Sequence, residues 1–239
     1  FGAKGSSEAS YLRPPGLSRI GREKICDEIE PDIDRVISSE IPKNSLYHLT
    51  GPDGIGKSHL ISCLKSTAEM DVERIALHSM TFPMSDDHML ESIARLERDM
   101  AENSKPIILF MDDLHELIQG SEAADRALKT LKGLASLFVE RRKNQKLYSD
   151  LAPVLMVATS KSGSAVADGL MPEQLESVKF EIPPFKAADL KRYLKATPAL
   201  SEREISSATI DFLIEQTAGI PQEIVERLEE LDSKSALFD

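Results

Sequence analysis

Residues 51–58 read Gly51-Pro52-Asp53-Gly54-Ile55-Gly56-Lys57-Ser58, a G-x-x-x-x-G-K-S stretch. These residue types suit one task. The glycines let the backbone curl until successive amide N–H groups face a single anion, and a helix beginning at Lys57 adds its positive end. Lys57 would reach the β- and γ-phosphates of a nucleotide, and the Ser58 hydroxyl would coordinate Mg²⁺. Asp53, Gly54, Ile55, Gly56 and His59 form the rest of the expected cradle. The flanks supply the context such a loop needs, with a short strand over 46–50 and a helical pattern over 57–68. ATP with Mg²⁺ is the ligand that this stretch predicts.

Working outward, Ile107-Ile108-Leu109-Phe110-Met111 is a continuous apolar run that ends in Asp112-Asp113. A strand buried on both faces reads this way. Acids at its C-terminal end suit a Walker B element, in which Asp112 would hold Mg²⁺ and Asp113 would polarise an attacking water. Many such ATPases carry Glu at the second position. Asp113 is one methylene shorter, and Glu116 is an outside candidate for the same work. A further strand over 73–80 falls between the two motifs, so the two motif-bearing strands are expected not to be neighbours in the sheet.

Helical patterns cover 22–39, 86–102 and 122–143, and apolar strands cover 153–159 and 178–182. Pro31 would kink or split the first helix. Strands alternating with helices predict an α/β fold with a doubly wound, parallel, five-stranded sheet. After Pro183-Pro184 the pattern changes to three helical segments, at 189–194, 205–215 and 221–231, with no strand between them. The expected organisation is a flexible arm over 1–18, an ATPase core over 19–185, and a small all-α lid with a tail over 186–239.

Composition narrows the function classes. A chain of 239 residues with 41% hydrophobic and 29% charged residues reads as an ordinary globular protein with room for one such core and a small accessory unit. The net charge of −11 argues against a phosphate-tracking surface spread over the whole molecule. The one marked basic cluster, Arg141-Arg142-Lys143-Asn144-Gln145-Lys146, reads first as a helix C-terminus whose cations complement the dipole. Cys26 and Cys63 lack metal-ligand spacing, and the five histidines are scattered, so a reduced, intracellular setting (cytoplasmic or nuclear) is expected. No apolar run reaches the length of a membrane span.

Several stretches resemble AAA+ and STAND-type P-loop ATPases, the additional-strand class. Arg19-Ile20-Gly21-Arg22-Glu23 resembles their "GRE" box, which flanks the adenine, and Asp112-Asp113-Leu114-His115 resembles their "DDLH" Walker B. Val154–Lys161 resembles their sensor strand, with Thr159 at the polar sensor position and Lys161 where the STAND group usually has Arg. Ala218-Gly219-Ile220-Pro221 resembles the G-x-P lid motif that closes over the nucleotide. The resemblance spans about residues 17–232 and includes origin-recognition and initiator ATPases and, less closely, the degenerate first ring of peroxisomal biogenesis ATPases.

The resemblance implies that Lys57, Asp113 and Thr159 serve hydrolysis, and that Ile20, Lys161 and Pro221 join the loop in holding ATP. It also implies protein partners or self-assembly into a multi-subunit complex. Two departures bear on rate. No arginine lies between Ser160 and Val178, where an arginine finger is usual, and Gln222 stands near the place of a sensor arginine. Tight binding with slow hydrolysis is therefore expected, with a partner able to supply the missing arginine. Three functions follow as alternatives: a nucleotide-dependent conformational or assembly switch, a nucleotide-locked scaffold subunit, and a DNA replication initiator or loader subunit.

Overall fold

The computed structural model describes residues 19–117, 121–143, 150–164, 178–197 and 205–233. The arm expected over 1–18 and the side chains of the basic run at 141–146 lie outside the described residues. In chain order the elements are α1 (Glu23–Ile37), β1 (Leu46–Thr50), α2 (Lys57–Glu69), β2 (Ala76–Thr81), α3 (Asp86–Glu102), β3 (Ile107–Asp112), a 3₁₀ turn (Leu114–Glu116) and α4 (Glu122–Lys143). Strands β4 (Val154–Ser160) and β5 (Val178–Glu181) follow, then helices α5 (Ala187–Ala196), α6 (Ser207–Thr217) and α7 (Pro221–Ser233).

The five strands form one parallel sheet in the order β2-β3-β4-β1-β5. The two motif-bearing strands, β1 and β3, are separated by β4, as expected. Every residue of β1, β3 and β4 is buried, because helices cover both faces. On one face α3 and α4 bring Met89, Ile93, Leu96, Leu131 and Leu134 against Leu109, Met111 and Met156. On the other, α1 and α2 bring Ile29, Ile33, Leu60 and Leu64 against Leu49, Phe110 and Val157. This is the doubly wound α/β architecture.

Two local expectations shift. Helix α1 runs unbroken through Pro31. The proline stands on the exposed face, where the carbonyl one turn back can turn to water, while Ile25, Ile29, Ile33 and Val36 hold the opposite side in the core. Strand β2 begins at Ala76 rather than at residue 73, because the Arg74 amide closes a turn onto the Asp71 carbonyl.

The three C-terminal helices enclose a separate apolar cluster of Leu190, Tyr193, Leu194, Ile210, Leu213, Ile224, Val225 and Leu228. Ile20 and Phe185 pack into this cluster, so the segments that flank the sheet in sequence seal the helical unit rather than the sheet. An ion pair of 2.6 Å between Arg192 and Glu23 ties α5 to the start of α1.

Candidate functional site

The loop 51–56 leaves the C-terminal end of β1 and enters α2 at Gly56, whose φ of 98° is a left-handed conformation that side chains resist. Gly54 is also left-handed, at 74°. A Cβ on Gly56 would meet nothing within 4 Å, so the loop presents open space on that side. A Cβ on Gly54 would instead press on Gln222 and Ile220, because the start of α7 sits directly on the loop. The Gln222 amide donates to the Gly54 carbonyl at 3.2 Å.

Between loop and helical unit lies a cavity of about 370 Å³, within the range of small-molecule sites. Its walls include Asp53, Gly54, Ile55, Gly56, Lys57, Ser58 and His59 from the loop and α2, Asp113 from the end of β3, and Pro221 from the start of α7. The fold thus brings nine of the sequence-identified residues to one cavity. It also adds Arg22, Phe185, Tyr193, Gln222 and Val225. Of these, Arg22 and Gln222 stood within noted stretches, whereas Phe185, Tyr193 and Val225 carried no local signal, since their place depends on how the helical unit docks.

The Lys57 side chain is 5% exposed, and its ammonium donates to the Gly51 and Pro52 carbonyls at 3.1 and 3.0 Å. Asp53 lies 3.8 Å from that ammonium and 2.7 Å from Lys161 Nζ. The Lys161 hydrogen bond holds the Asp53 carboxyl below its ordinary range. Among the described residues Lys161 reaches the loop through this ion pair, and it does not line the cavity.

Thr159 and Asp112 also stand behind the cavity wall. The Thr159 hydroxyl donates to Asp112 Oδ1 at 2.6 Å and accepts the Asp113 amide at 2.9 Å. The Asp113 amide also approaches Asp112 Oδ1 at 3.1 Å. One buried hydroxyl of the neighbouring strand therefore fixes the Asp112 carboxylate and the Asp113 backbone. Asp113 adopts a left-handed φ of 54°, uncommon outside glycine and tolerated best by Asp and Asn. Burial, and then the charge of Asp112, push the Asp113 carboxyl above its ordinary range, with Lys57 and His115 opposing them. Such a carboxylate is a better proton acceptor near neutral pH than a solvated one. Ile20, expected near the base, is buried in the helical cluster and does not line the cavity.

The comparisons agree with this architecture. A family profile described as "ATPase family associated with various cellular activities (AAA)" matches residues 47–182. A comparison with curated proteins returns no match. Among solved structures, a point mutant of Thermotoga maritima RuvB is similar with a TM-score of 0.55 at 18% identity, covering 95% of this chain and 69% of that one. The Aeropyrum pernix Orc1 protein, solved in complex with DNA, is similar with a TM-score of 0.62 at 14% identity, covering 95% of this chain and 65% of that one. The chain thus spans about two thirds of the length of these structures, and at such identities the likeness shows the fold alone. The profile match extends over more than half of the 239 residues and contains the loop, both acids and the sheet; the chain belongs to the AAA family of ATPases.

Proposed function

We propose that this chain is an ATP-binding switch module, a slow ATPase whose nucleotide state governs how the helical unit sits on the core. The observation that carries this reading is the cavity itself, with the phosphate loop on one wall and the start of α7 on the other. A ligand there touches both units, so its affinity depends on their relative position, and that position responds to the ligand.

The residues fit the nucleotide. The open side of Gly56 leaves room for phosphate oxygens, and the amides entering α2 would meet an anion at a helix N-terminus. Lys57 would exchange its carbonyl partners for the β- and γ-phosphates. Ser58 and Asp112 would hold Mg²⁺, the usual ion of the family, which neutralises charge on the transferring phosphoryl group. Thr159 would act by aiming Asp112 and Asp113, and Asp113 would orient the attacking water. Its shorter reach, and the lack of arginine in the 160–178 stretch, favour slow turnover. Pro221 would complete the nucleotide's surroundings from α7, while Lys161 would act on it through Asp53 and Ile20 through the helical cluster.

Lys57→Ala tests the reading. The variant is expected to lose nucleotide binding by at least about 100-fold in a fluorescent-nucleotide titration, in keeping with loss of a charge-assisted contact. Wild-type affinity in that variant would move the phosphates elsewhere.

A scaffold role is the second reading, favoured by the Gln222–Gly54 contact, which joins helical unit and loop directly. Denaturing the purified protein and chromatographing the released nucleotide separates the two. Intact ATP supports the scaffold, and ADP supports the switch. An initiator or loader role draws only on the Orc1 likeness, and the net charge of −11 gives it no support. Assembly with partner chains, one of which supplies an arginine, belongs to the same proposal.

A further inference from the structure

Arg22 lines the cavity but has no part in holding the nucleotide in the reading above. It caps the start of α1, and its side chain is almost fully buried. One end of its guanidinium donates to the Ile55 carbonyl at 3.1 Å, 33 residues away, and the other to the Gly21 carbonyl at 3.0 Å. The guanidinium carbon stands 5.1 Å above the Phe185 ring centroid. Among the described residues no carboxylate lies within ion-pair distance of it. Asp189 and Glu23 act only at longer range, and Glu23 is taken by Arg192. Burial lowers the Arg22 pKa to about 10, which still leaves it cationic at neutral pH.

Burying a cation against carbonyls and an aromatic face is costly unless the fork of donors is used. Here the fork acts on the last peptide before the glycine that opens α2. A trans peptide is planar, with its C=O and N–H pointing in opposite directions. Fastening the Ile55 carbonyl to Arg22 therefore aims the Gly56 amide away from Arg22. The preceding carbonyl, on Gly54, is held in the same manner by the Gln222 amide of α7. Two carbonyls of the loop are thus clasped from outside it.

We propose that Arg22 is a positioning residue of the phosphate loop: it holds the Ile55 carbonyl outward so that the Gly56 amide meets the polyphosphate, and through Phe185 it links that orientation to the docked helical unit. This rests on the nucleotide reading above. It assigns Arg22 to the phosphates, whereas the resemblance of residues 19–23 implies only that the stretch flanks the base.

The test compares ATP with inorganic tripolyphosphate, which has no base, on the 239-residue chain by titration calorimetry at low and high salt. Arg22→Lys keeps the charge and loses the fork. It is expected to weaken both ligands by the same factor, about 10-fold, at both salt concentrations. The Gly56 amide resonance of the ligand-free variant should also shift in a ¹H–¹⁵N spectrum. Weakening of ATP alone would overturn the proposal in favour of a base contact. Full affinity in Arg22→Lys would overturn it in favour of simple charge attraction. Should Arg22→Lys lose its cooperative melt, Phe185→Leu, which keeps an apolar contact and removes the ring face, is expected to weaken both ligands equally, and an unchanged tripolyphosphate affinity there would overturn the proposal. Wild-type protein that binds neither ligand would instead defeat the nucleotide reading on which it stands.

Discussion

Asp53 is an odd residue for an anion cradle, because a carboxylate in the loop opposes the phosphates it would hold. Lys161, 2.7 Å away, offsets part of that repulsion, but the pair is largely exposed and screened by solvent. Asp53→Asn should therefore raise affinity for ATP several-fold at low ionic strength, with the gain shrinking as salt shortens the reach of the charge. Calorimetric titrations at two salt concentrations check this, and a gain that ignores salt would point to a shape effect instead. Much of the candidate site was legible in the sequence, since Lys57, Ser58, Asp112 and Asp113 are signalled by their own short motifs. The partners of those residues were not. The pairing of Asp53 with Lys161 and the aiming of Asp112 by Thr159 cross between strands that are distant in sequence, and local spacing does not encode such contacts.

Helix α1 shows how one buried acid can set the approach to a site. The Asp32 carboxylate, 3% exposed, accepts the Lys43 amide at 2.7 Å, the Asn44 amide at 2.8 Å and the Tyr47 hydroxyl at 2.7 Å. These bonds fasten the turn that leads into β1, the strand that delivers the phosphate loop. In Asp32→Ala the tyrosine could turn to the Glu28 carbonyl, 3.0 Å away, but the two amides would be left without their acceptor. A loss of about 3 kcal/mol in urea denaturation is expected. A change below about 1 kcal/mol would mean that water replaces the carboxylate. The helical pattern of α1 was plain from its apolar spacing, and so was the hazard of Pro31. That the proline would fall on the solvent side, leaving one helix, became clear only once the buried side was identified.

Among the described residues three apolar clusters stand out, two on the faces of the sheet and one inside the helical unit. The helical unit closes onto the segment that leaves the sheet at Gly219. Its φ is 73°, the Phe185 amide donates to its carbonyl at 2.8 Å, and a Cβ there would come within 2.3 Å of the Phe185 carbonyl oxygen. Gly219→Ala should force this junction apart, combining left-handed strain of about 1–2 kcal/mol with a backbone clash. Weaker ATP binding together with a lower melting temperature is the expected result. Retained affinity with only a lower melting temperature would show that the nucleotide does not sense the helical unit. Alternating apolar runs and the glycine loop were enough to specify a parallel α/β core, a candidate phosphate loop and a run of helices after it, because each rests on forces acting within one or two turns of chain. Naming β4 as the strand that separates β1 from β3, turning Phe185 and Tyr193 toward the loop, and joining Arg22 to Ile55 required the folded chain. These depend on how sheet and helices pack across long stretches of sequence, where burial and shape select partners that no periodic pattern names.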